Sequence, residues 1–249
     1  KPWQIGHVDS VMLDGTRYPI GDLIFNCGGV VVGLEICEDA WVADRPGTQM
    51  AKRGVDVILN PSASHFAFGK SEIRKRFVIE GSRAFSATYV HANLLGNEAG
   101  RAIYPGGTLI ATGGHLVAMG PRFSYRPAVV THAVVDVEAT RMNQARTQSF
   151  SPAFEADEEG AFSCAFDWPD VDPEPHGPQP EKWELGKAVK EEEFLRAVAL
   201  ALFDYLRKSR SHGFVVSLSG GADSSACACL VALMTELACM ELGEAEFKR

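Results

Sequence analysis

Residues 30–41, VVVGLEICEDAW, join an apolar run to a single cysteine that two carboxylates and a tryptophan follow. The continuous apolar run at 30–36 is typical of a strand buried on both faces, and VDVILNP at 55–61 has the same character. A cysteine in the turn after such a strand exposes its sulfur at the sheet edge while its backbone stays rigid, and a nucleophile needs that geometry. The segment therefore predicts a buried sheet whose edge presents Cys37.

The chemistry of Cys37 has two interpretations. Carboxylates beside a thiol disfavour its thiolate form, so a nucleophilic Cys37 needs a nearby cation, and its immediate neighbours in the sequence supply none. A buried cysteine can also be simply a small hydrophobic side chain. The second interpretation applies to all the other cysteines, which are Cys27, Cys164, Cys227, Cys229 and Cys239.

The remainder of residues 1–147 mixes strands and helices without a strict alternation, which favours a layered α/β sandwich. A helix is predicted at 70–89 from an apolar stripe at near-helical spacing, formed by Ile73, Phe77, Val78 and Phe85. The other predicted elements are strands at 89–96 and 129–138 and a hairpin at 107–120 that turns at Gly113 and Gly114.

Residues 148–189 have no hydrophobic periodicity and are rich in proline and acidic residues, so they predict a linker between two domains. Trp168 and Trp183 are unusual in a free coil and indicate that the linker is ordered on a surface. After it, 190–209 predicts an amphipathic helix with acids in its first turn and bases in its last.

A short buried strand is predicted at FVVSL (214–218), followed by the turn SGGADSS (219–225) and an apolar helix at 225–240. A glycine-rich loop between a strand and a helix is how α/β folds build a phosphate site. Gly220 and Gly221 let the backbone approach an anion, and Ser219, Ser224 and Ser225 add hydroxyl donors. Asp223 would cap the helix or help to hold Mg²⁺, because direct contact with phosphate would be repulsive.

The composition excludes several classes of protein. The net charge of −8 and the pI near 5.4 argue against a general nucleic-acid surface. No apolar run in the sequence reaches the roughly 18 residues that a bilayer-spanning helix needs, and the N-terminus has no signal-peptide core. The six cysteines include no C-x-x-C pair, so reduced thiols and a cytoplasmic location without membrane contact are expected.

Two motifs carry a resemblance to known families. EICEDAW at 35–41 resembles the nucleophile segment of the nitrilase superfamily, in the form found in the glutaminase domain of glutamine-dependent NAD⁺ synthetases. The likeness continues through 60–70, 89–107 and 115–125. The pattern S-G-G-x-D-S at 219–224 is similar to the pyrophosphate loop of N-type ATP pyrophosphatases, which form the synthetase domain of the same enzymes.

This resemblance implies the C-terminal portion of a nitrilase-like αββα sandwich at 1–147, a linker at 148–189, and the start of a Rossmann-like ATP pyrophosphatase domain at 190–249. It implies that a cysteine thiolate releases ammonia from glutamine. The ammonia would then convert nicotinic acid adenine dinucleotide, adenylated by ATP, into NAD⁺ with release of AMP. ATP and Mg²⁺ are the implied cofactors, and association into a homo-oligomer is expected by analogy.

The resemblance also implies roles for individual residues. Cys37 matches the nucleophile, and Glu38 matches the acid that contacts the substrate amine or supports the catalytic triad. Ser64 and Lys70 match the serine and the basic residue that bind glutamine, although Ser64 is equally typical of a turn and Lys70 of a solvated helix start. Ser219, Gly220, Gly221, Asp223, Ser224 and Ser225 match the ATP pyrophosphate site, with Asp223 also a candidate metal ligand. Asp39 and Trp41 are interpreted as structural.

The chain departs from the family pattern because the triad glutamate and lysine belong upstream of the cysteine, where only Lys1 and Glu35 stand as poor candidates. It is therefore expected to be an internal fragment that cannot make NAD⁺ alone. Two alternatives remain open. One is a nitrilase-type amidotransferase with a different acceptor, which the mass of the product would distinguish. The other is a non-catalytic piece, which a glutamate and a lysine in nitrilase-type contexts upstream would argue against.

Overall fold

The computed structural model of the protein describes residues 6–98, 100–147, 151–152, 160–172 and 177–248. The strands in this part of the chain are β1 (Val8–Leu13), β2 (Thr16–Gly21), β3 (Ile24–Cys27), β4 (Val30–Leu34), β5 (Val57–Ser62), β6 (Thr88–Asn93), β7 (Leu95–Glu98), β8 (Ala102–Pro105), β9 (Thr108–Thr112), β10 (His115–Met119) and β11 (Ala161–Cys164). The helices are α1 (Pro46–Lys52), α2 (Lys70–Ala84), α3 (Val137–Arg146), α4 (Val189–Ser209), α5 (Ala222–Leu242) and α6 (Glu244–Phe247), with short 3-10 helices at Cys37–Trp41 and Lys182–Leu185.

Seven of the described strands form one sheet in the order β10-β9-β6-β5-β4-β3-β11. Its centre is the parallel set β4, β5 and β6, as the continuous apolar runs at 30–36 and 55–61 predict. Antiparallel pairs join β3 to β4, β9 to β6 and β10 to β9, while β11 pairs with β3 in parallel. The predicted hairpin is confirmed as β9–β10, with Thr112 opposite His115 across the two glycines.

The helices α1 and α2 pack on this sheet and close the main core. The buried side chains of that core are Ile24, Met50, Ala51, Val55, Ile58, Val78, Phe85, Ala87, Tyr89, Leu109 and Ala111. Helix α2 is confirmed, but its predicted apolar stripe is wrong at one position: Ile73 is exposed, whereas Arg74 is buried at 4% exposure. The buried stripe is Arg74, Val78, Gly81 and Ser82, so an arginine occupies a place on the face of the helix that turns inward.

A second core joins segments that are far apart along the chain. Its buried members are Phe123, Tyr125, Trp183, Ala197, Leu200 and Ala238, and side chains from the β7–β8 hairpin pack against it. Trp183 is buried within the predicted linker, which agrees with an ordered segment. The hairpin, the segment around 123–125, α4 and α5 therefore form one packed unit.

Three predictions of secondary structure are wrong. The segment 129–136 has no strand, and Asp136 instead caps α3 by accepting a hydrogen bond from the Ala139 N–H. The linker contains a strand, β11, that its lack of hydrophobic periodicity did not predict. This strand adds to the open edge of β3 through backbone hydrogen bonds, which require no side-chain pattern. The prediction for 148–150, 153–159 and 173–176 lies outside the described residues.

The third wrong prediction is the strand at 214–218. These residues have no regular structure, and Val215 and Leu218 are exposed. A strand needs a neighbour for its N–H and C=O groups, and no described strand pairs with this segment. The helix that follows is confirmed as α5.

Helix α5 also corrects the expectation that no apolar run is long enough to span a bilayer. Within the described residues it is the one helix whose length and composition would allow a membrane crossing. That is weak support for a membrane protein, because core helices of soluble proteins pass the same test.

Candidate functional site

Cys37 lies in a strained turn two residues beyond Glu35, where the chain leaves the sheet after β4. It opens a 3-10 helix that ends at Trp41, and its backbone φ is +50°, in the left-handed region that non-glycine residues seldom occupy. The buried Asp39 holds the turn closed, because its carboxylate accepts the Ile36 N–H at 2.9 Å. The predicted placement of Cys37 at the sheet edge and the structural role of Asp39 are confirmed.

Glu35 stabilises the same turn from inside the core. Its fully buried carboxylate pairs with the Arg45 guanidinium at 2.8 Å and accepts the Gly47 N–H at 2.8 Å and the Tyr89 hydroxyl at 2.5 Å. Burial, together with this carboxylate, raises the pKa of Tyr89 well above its usual value. With its acceptor positions already engaged, Glu35 is a structural anion and not a free triad base. Lys1 lies outside the described residues.

Ser64 lies on the loop that enters α2, and Lys70 is the first residue of that helix. The Asn93 side-chain amide holds the Ser64 backbone: it accepts the Ser64 N–H at 2.8 Å and donates to the Ser64 carbonyl at 3.0 Å. The Lys70 ammonium donates to the His65 carbonyl at 3.1 Å and lies 5.6 Å from the ring centre of Trp41. Because Trp41 ends the 3-10 helix that Cys37 begins, the structure brings Lys70 to the Cys37 turn.

Arg74 is a residue of this site that the sequence did not reveal. It is buried, donates to the Ser64 carbonyl at 2.8 Å and to the His65 carbonyl at 3.3 Å, and forms no ion pair within the described part of the chain. Burial and the nearby Arg122 charge lower its pKa to about 10, while Cys37 acts in the opposite direction. The available signal was its i, i+4 spacing from Lys70, which places both cations on one face of α2.

Lys70 is electrostatically coupled to the same thiol. Burial and the Arg74 charge lower the pKa of Lys70, and Cys37 offsets part of that shift. Two cations from α2 therefore act on Cys37, and these are the charges that its immediate sequence neighbours do not provide. Both can stabilise a thiolate relative to the thiol.

Glu38 lies beside Cys37 and is exposed. Both residues line a cavity of about 580 Å³ whose other walls include Ile36, Pro19 and Ile20 from the turn and from β2. A volume of this order accommodates a small metabolite. Ser64, Lys70 and Arg74 do not line this cavity, so the structure brings Glu38 but not the other predicted glutamine-binding residues into it.

The loop at 219–225 has the composition of a phosphate site, and its hydrogen bonds remain within the loop. The Ser219 and Ser224 hydroxyls are 3.2 Å apart, and the Ser225 hydroxyl donates to the Gly221 carbonyl at 2.9 Å. All but one of these residues are exposed. Gly220 has φ +83° and Gly221 has φ −83°, so the left-handed backbone of the loop lies at Gly220.

Asp223 lies in the first turn of α5 but does not cap it. The N-cap is Gly221, which has no side chain to accept the first N–H groups of the helix, so the capping role predicted for Asp223 is wrong. No cluster of three potential metal ligands occurs within the described residues. A single carboxylate beside a phosphate loop is compatible with a Mg²⁺ ion that phosphates also ligate, and Mg²⁺ stays a prediction.

Buried polar contacts join the two halves of the chain. Arg122, in the segment after β10, pairs with Glu184 at 2.7 Å and with Glu193 of α4 at 2.6 Å. Asp204 of α4 accepts the Asn97 N–H at 2.7 Å. The helix that leads toward the phosphate loop is thus docked on the half that carries Cys37.

A second set of buried contacts involves α5. Its Glu241 carboxylate accepts the Ser124 hydroxyl at 2.5 Å and the Tyr125 N–H at 2.9 Å. Ser124 is buried, so its hydroxyl depends on this partner. The end of α5 is therefore anchored to the first half, although its beginning at the phosphate loop is exposed.

Comparison with known proteins gives the following likenesses. No family model matches the chain. A putative glutamine-dependent NAD(+) synthetase from Schizosaccharomyces pombe is 32% identical over 239 residues, which cover 93% of this chain and 33% of that protein. The solved structure of a glutamine-dependent NAD(+) synthetase from Cytophaga hutchinsonii matches with a TM-score of 0.70 and 40% identity, covering 98% of this chain and 32% of that one.

The solved structure of a glutamine-dependent NAD+ synthetase from Acinetobacter baumannii, in complex with ADP, matches with a TM-score of 0.60 and 20% identity. The match covers 86% of this chain and 33% of that one, and it shows a likeness of fold. These matches confirm the α/β fold and the resemblance that the motifs carry. The chain spans about a third of the length of the relatives it matches. It is homologous to that third of proteins named glutamine-dependent NAD(+) synthetase.

Proposed function

We propose that this chain, as a homologue of part of the glutamine-dependent NAD(+) synthetases, carries the glutaminase nucleophile and the ATP loop of a ligase that makes NAD⁺. The observation that carries the proposal is the turn at Cys37, where a left-handed cysteine follows a buried strand and Lys70 of α2 lies over Trp41, the last residue of the same 3-10 helix. Strain of this kind at a non-glycine residue is typical of functional sites. The likeness to the Cytophaga hutchinsonii enzyme supports the same assignment.

At the first site, the Cys37 sulfur attacks the carboxamide carbon of glutamine. The amide nitrogen takes up a proton, the C–N bond breaks, and ammonia leaves. Water then hydrolyses the resulting thioester to glutamate and restores the thiol. Lys70 and Arg74 would stabilise negative charge that develops at the reacting carbonyl and sulfur. Lys70 and Ser64 would bind the substrate carboxylate, and Glu38 would contact its amine. The family's triad glutamate and lysine have no counterpart among the described residues.

At the second site, the loop from Ser219 to Ser225 would hold the pyrophosphate of ATP. The left-handed Gly220 and the N-terminus of α5 would provide backbone N–H groups for an anion, which the helix dipole also favours. ATP adenylates the carboxylate of nicotinic acid adenine dinucleotide, and ammonia displaces AMP to form the amide. Mg²⁺ would neutralise phosphate charge with help from Asp223.

The test is product analysis with the full-length protein. Incubation with glutamine labelled with ¹⁵N in its amide, ATP and nicotinic acid adenine dinucleotide should yield NAD⁺ that carries the label, together with AMP and pyrophosphate. A labelled amide of a different acceptor would replace this function with another amidotransferase. Absence of both glutamate release and AMP would contradict an enzymatic role.

A further inference from the structure

Two cysteines meet on the open edge of the main sheet, away from the site just described. The parallel pairing of β11 with β3 sets Cys164 directly opposite Cys27. Both thiols are free, and the strand register places them side by side. Neighbouring strands are about 4.8 Å apart, which falls within the span of about 4.4–6.8 Å between Cα atoms that a disulfide bridges.

The surrounding chain maintains this register. The Gly28 N–H donates to the Cys164 carbonyl at 3.2 Å, and the Trp168 indole N–H donates to the Cys27 carbonyl at 2.7 Å. A Cβ atom at Gly28, whose φ is +57°, would lie 2.0 Å from the Phe166 carbonyl oxygen. Only glycine allows the chain after β11 to pass so close, so the juxtaposition of the thiols depends on several separate features of the sequence.

The two thiols differ in access. Cys164 is exposed and Cys27 is half-buried. Partial burial and the adjacent Cys164 thiol raise the pKa of Cys27, which leaves Cys164 as the thiol that meets a reagent first. An accessible thiol next to a second, less accessible one is the arrangement of a modified cysteine with its resolving partner.

We propose that Cys27 and Cys164 form a reversible disulfide by exchange with a small-molecule disulfide of the glutathione type. The Cys164 thiolate attacks one sulfur of the reagent, and the first reagent thiolate leaves. The Cys27 thiolate then attacks the Cys164 sulfur of this mixed disulfide, and the second reagent thiolate leaves. The two protein thiols are oxidised, the reagent disulfide is reduced to two thiols, and the two protons pass to those thiols.

The bond would act on the segment that connects the two halves of the chain. It would tie β11, which lies between Cys37 and α4 along the sequence, to the sheet edge by a covalent link in addition to the strand hydrogen bonds. Exposed and strained disulfides are more easily reduced than structural ones, so the link would follow the ratio of oxidised to reduced glutathione. The inference does not depend on the proposed function.

The test uses the full-length protein in reduced and oxidised glutathione buffers, with peptide mapping by mass spectrometry without reductant. A peptide joined through Cys27 and Cys164 is expected, two hydrogens lighter than its reduced parts. In Cys27→Ser, Cys164 should instead retain bound glutathione. In the oxidised protein, the amides of β11 should exchange with deuterium at least severalfold more slowly than in the reduced protein.

Cys227 and Cys229 provide a matched control in the same molecule. Both are exposed, but two residues along α5 point about 200° apart, so they should form glutathione adducts and no bridge. If the wild-type protein accumulates only a glutathione adduct at Cys164, the proposal is wrong. It is equally wrong if the Cys27–Cys164 link forms no faster than a Cys227–Cys229 link.

Discussion

The turn at Cys37 and the loop at Ser219–Ser225 are built alike in sequence and differently in space. Each follows an apolar run and precedes a helical segment. The Cys37 turn is supported by buried groups from several elements, among them Glu35, Arg45 and Tyr89. The loop makes hydrogen bonds only among its own residues within the described contacts, and it is mostly exposed.

The difference lies in the preceding strand. The strand β4 has β3 on one side and β5 on the other, so its backbone groups are paired. The run at 214–218 has the same apolar character but no strand partner among the described residues. An apolar run indicates that a segment could be a buried strand, and only neighbouring strands make it one.

The largest expected effects separate the two sites chemically. In the full-length protein, Cys37→Ala should abolish NAD⁺ synthesis from glutamine and leave synthesis from added ammonia within about twofold of wild type, because ammonia bypasses the first site. Cys239→Ala, half-buried on α5, serves as a cysteine control. Synthesis from glutamine that persists in Cys37→Ala would show that another group is the nucleophile.

The reverse pattern is expected at the loop. Gly220→Val should abolish NAD⁺ formation from both glutamine and ammonia while glutamine hydrolysis persists, because a β-branched residue resists the left-handed φ of +83°. Gly221→Val has no such backbone strain and would act through contact of its Cβ with the Ser219 hydroxyl, 3.4 Å away. We therefore expect a smaller loss from Gly221→Val.

A matched control for both glycine variants is Gly177→Val, since nothing lies within 4 Å of a Cβ there. Normal synthesis from ammonia in Gly220→Val would remove the loop from the ATP site. A larger loss in Gly221→Val than in Gly220→Val would show that phosphate contact, and not backbone strain, decides the outcome.

The buried support of the Cys37 turn should appear in stability. Glu35→Gln leaves the Arg45 charge buried without its partner, and breaking a pair of this kind costs about 3–5 kcal/mol in free energy of unfolding. Denaturant titration measures the change. The control Glu80→Gln breaks the surface pair with Arg83 and should leave the unfolding midpoint unchanged. Equal effects of the two variants would mean that the Glu35 network does not stabilise the turn.

A pH dependence follows from His91, which is 1% exposed and whose ring nitrogens have no hydrogen-bond partner among the described residues. Burial, with the Arg74 charge, lowers its pKa from 6.5 to about 4. Between these values the unfolded chain binds the proton and the folded chain does not, so stability should fall by about 3 kcal/mol as the pH drops from 7 to 4. His91→Phe should flatten this part of the pH profile, whereas exposed His115→Gln should not.

The smallest expected effect concerns substrate binding. Lys70→Ala should raise the KM for glutamine, with little change in synthesis from ammonia. The expected loss of binding free energy is about 1.5–3 kcal/mol, typical of a hydrogen bond to a charged group. Lys75→Ala, on the same helix and paired with Glu72, is the control. An unchanged KM would mean that Lys70 is only a solvated residue at the start of α2 and does not bind glutamine.

Much of this arrangement could be predicted from local patterns. The helices α2, α4 and α5 follow from hydrophobic spacing or from continuous apolar composition, and the β9–β10 hairpin follows from its two glycines. The strained turn could be placed at Cys37 because a strand, a cysteine and two acids stand in sequence. Each of these signals lies within a few residues of the structure that it specifies.

What the sequence determined by itself is therefore the identity and order of the motifs and the elements with internal periodicity. Tertiary structure decided that Arg74 and Lys70 are the cations at Cys37, that β11 joins β3, and that 214–218 is not a strand. The physical reason is that a helix forms its backbone hydrogen bonds within one segment. A strand needs a partner strand, and the charges around a thiol come from other groups; both are distant along the chain and come close only after folding.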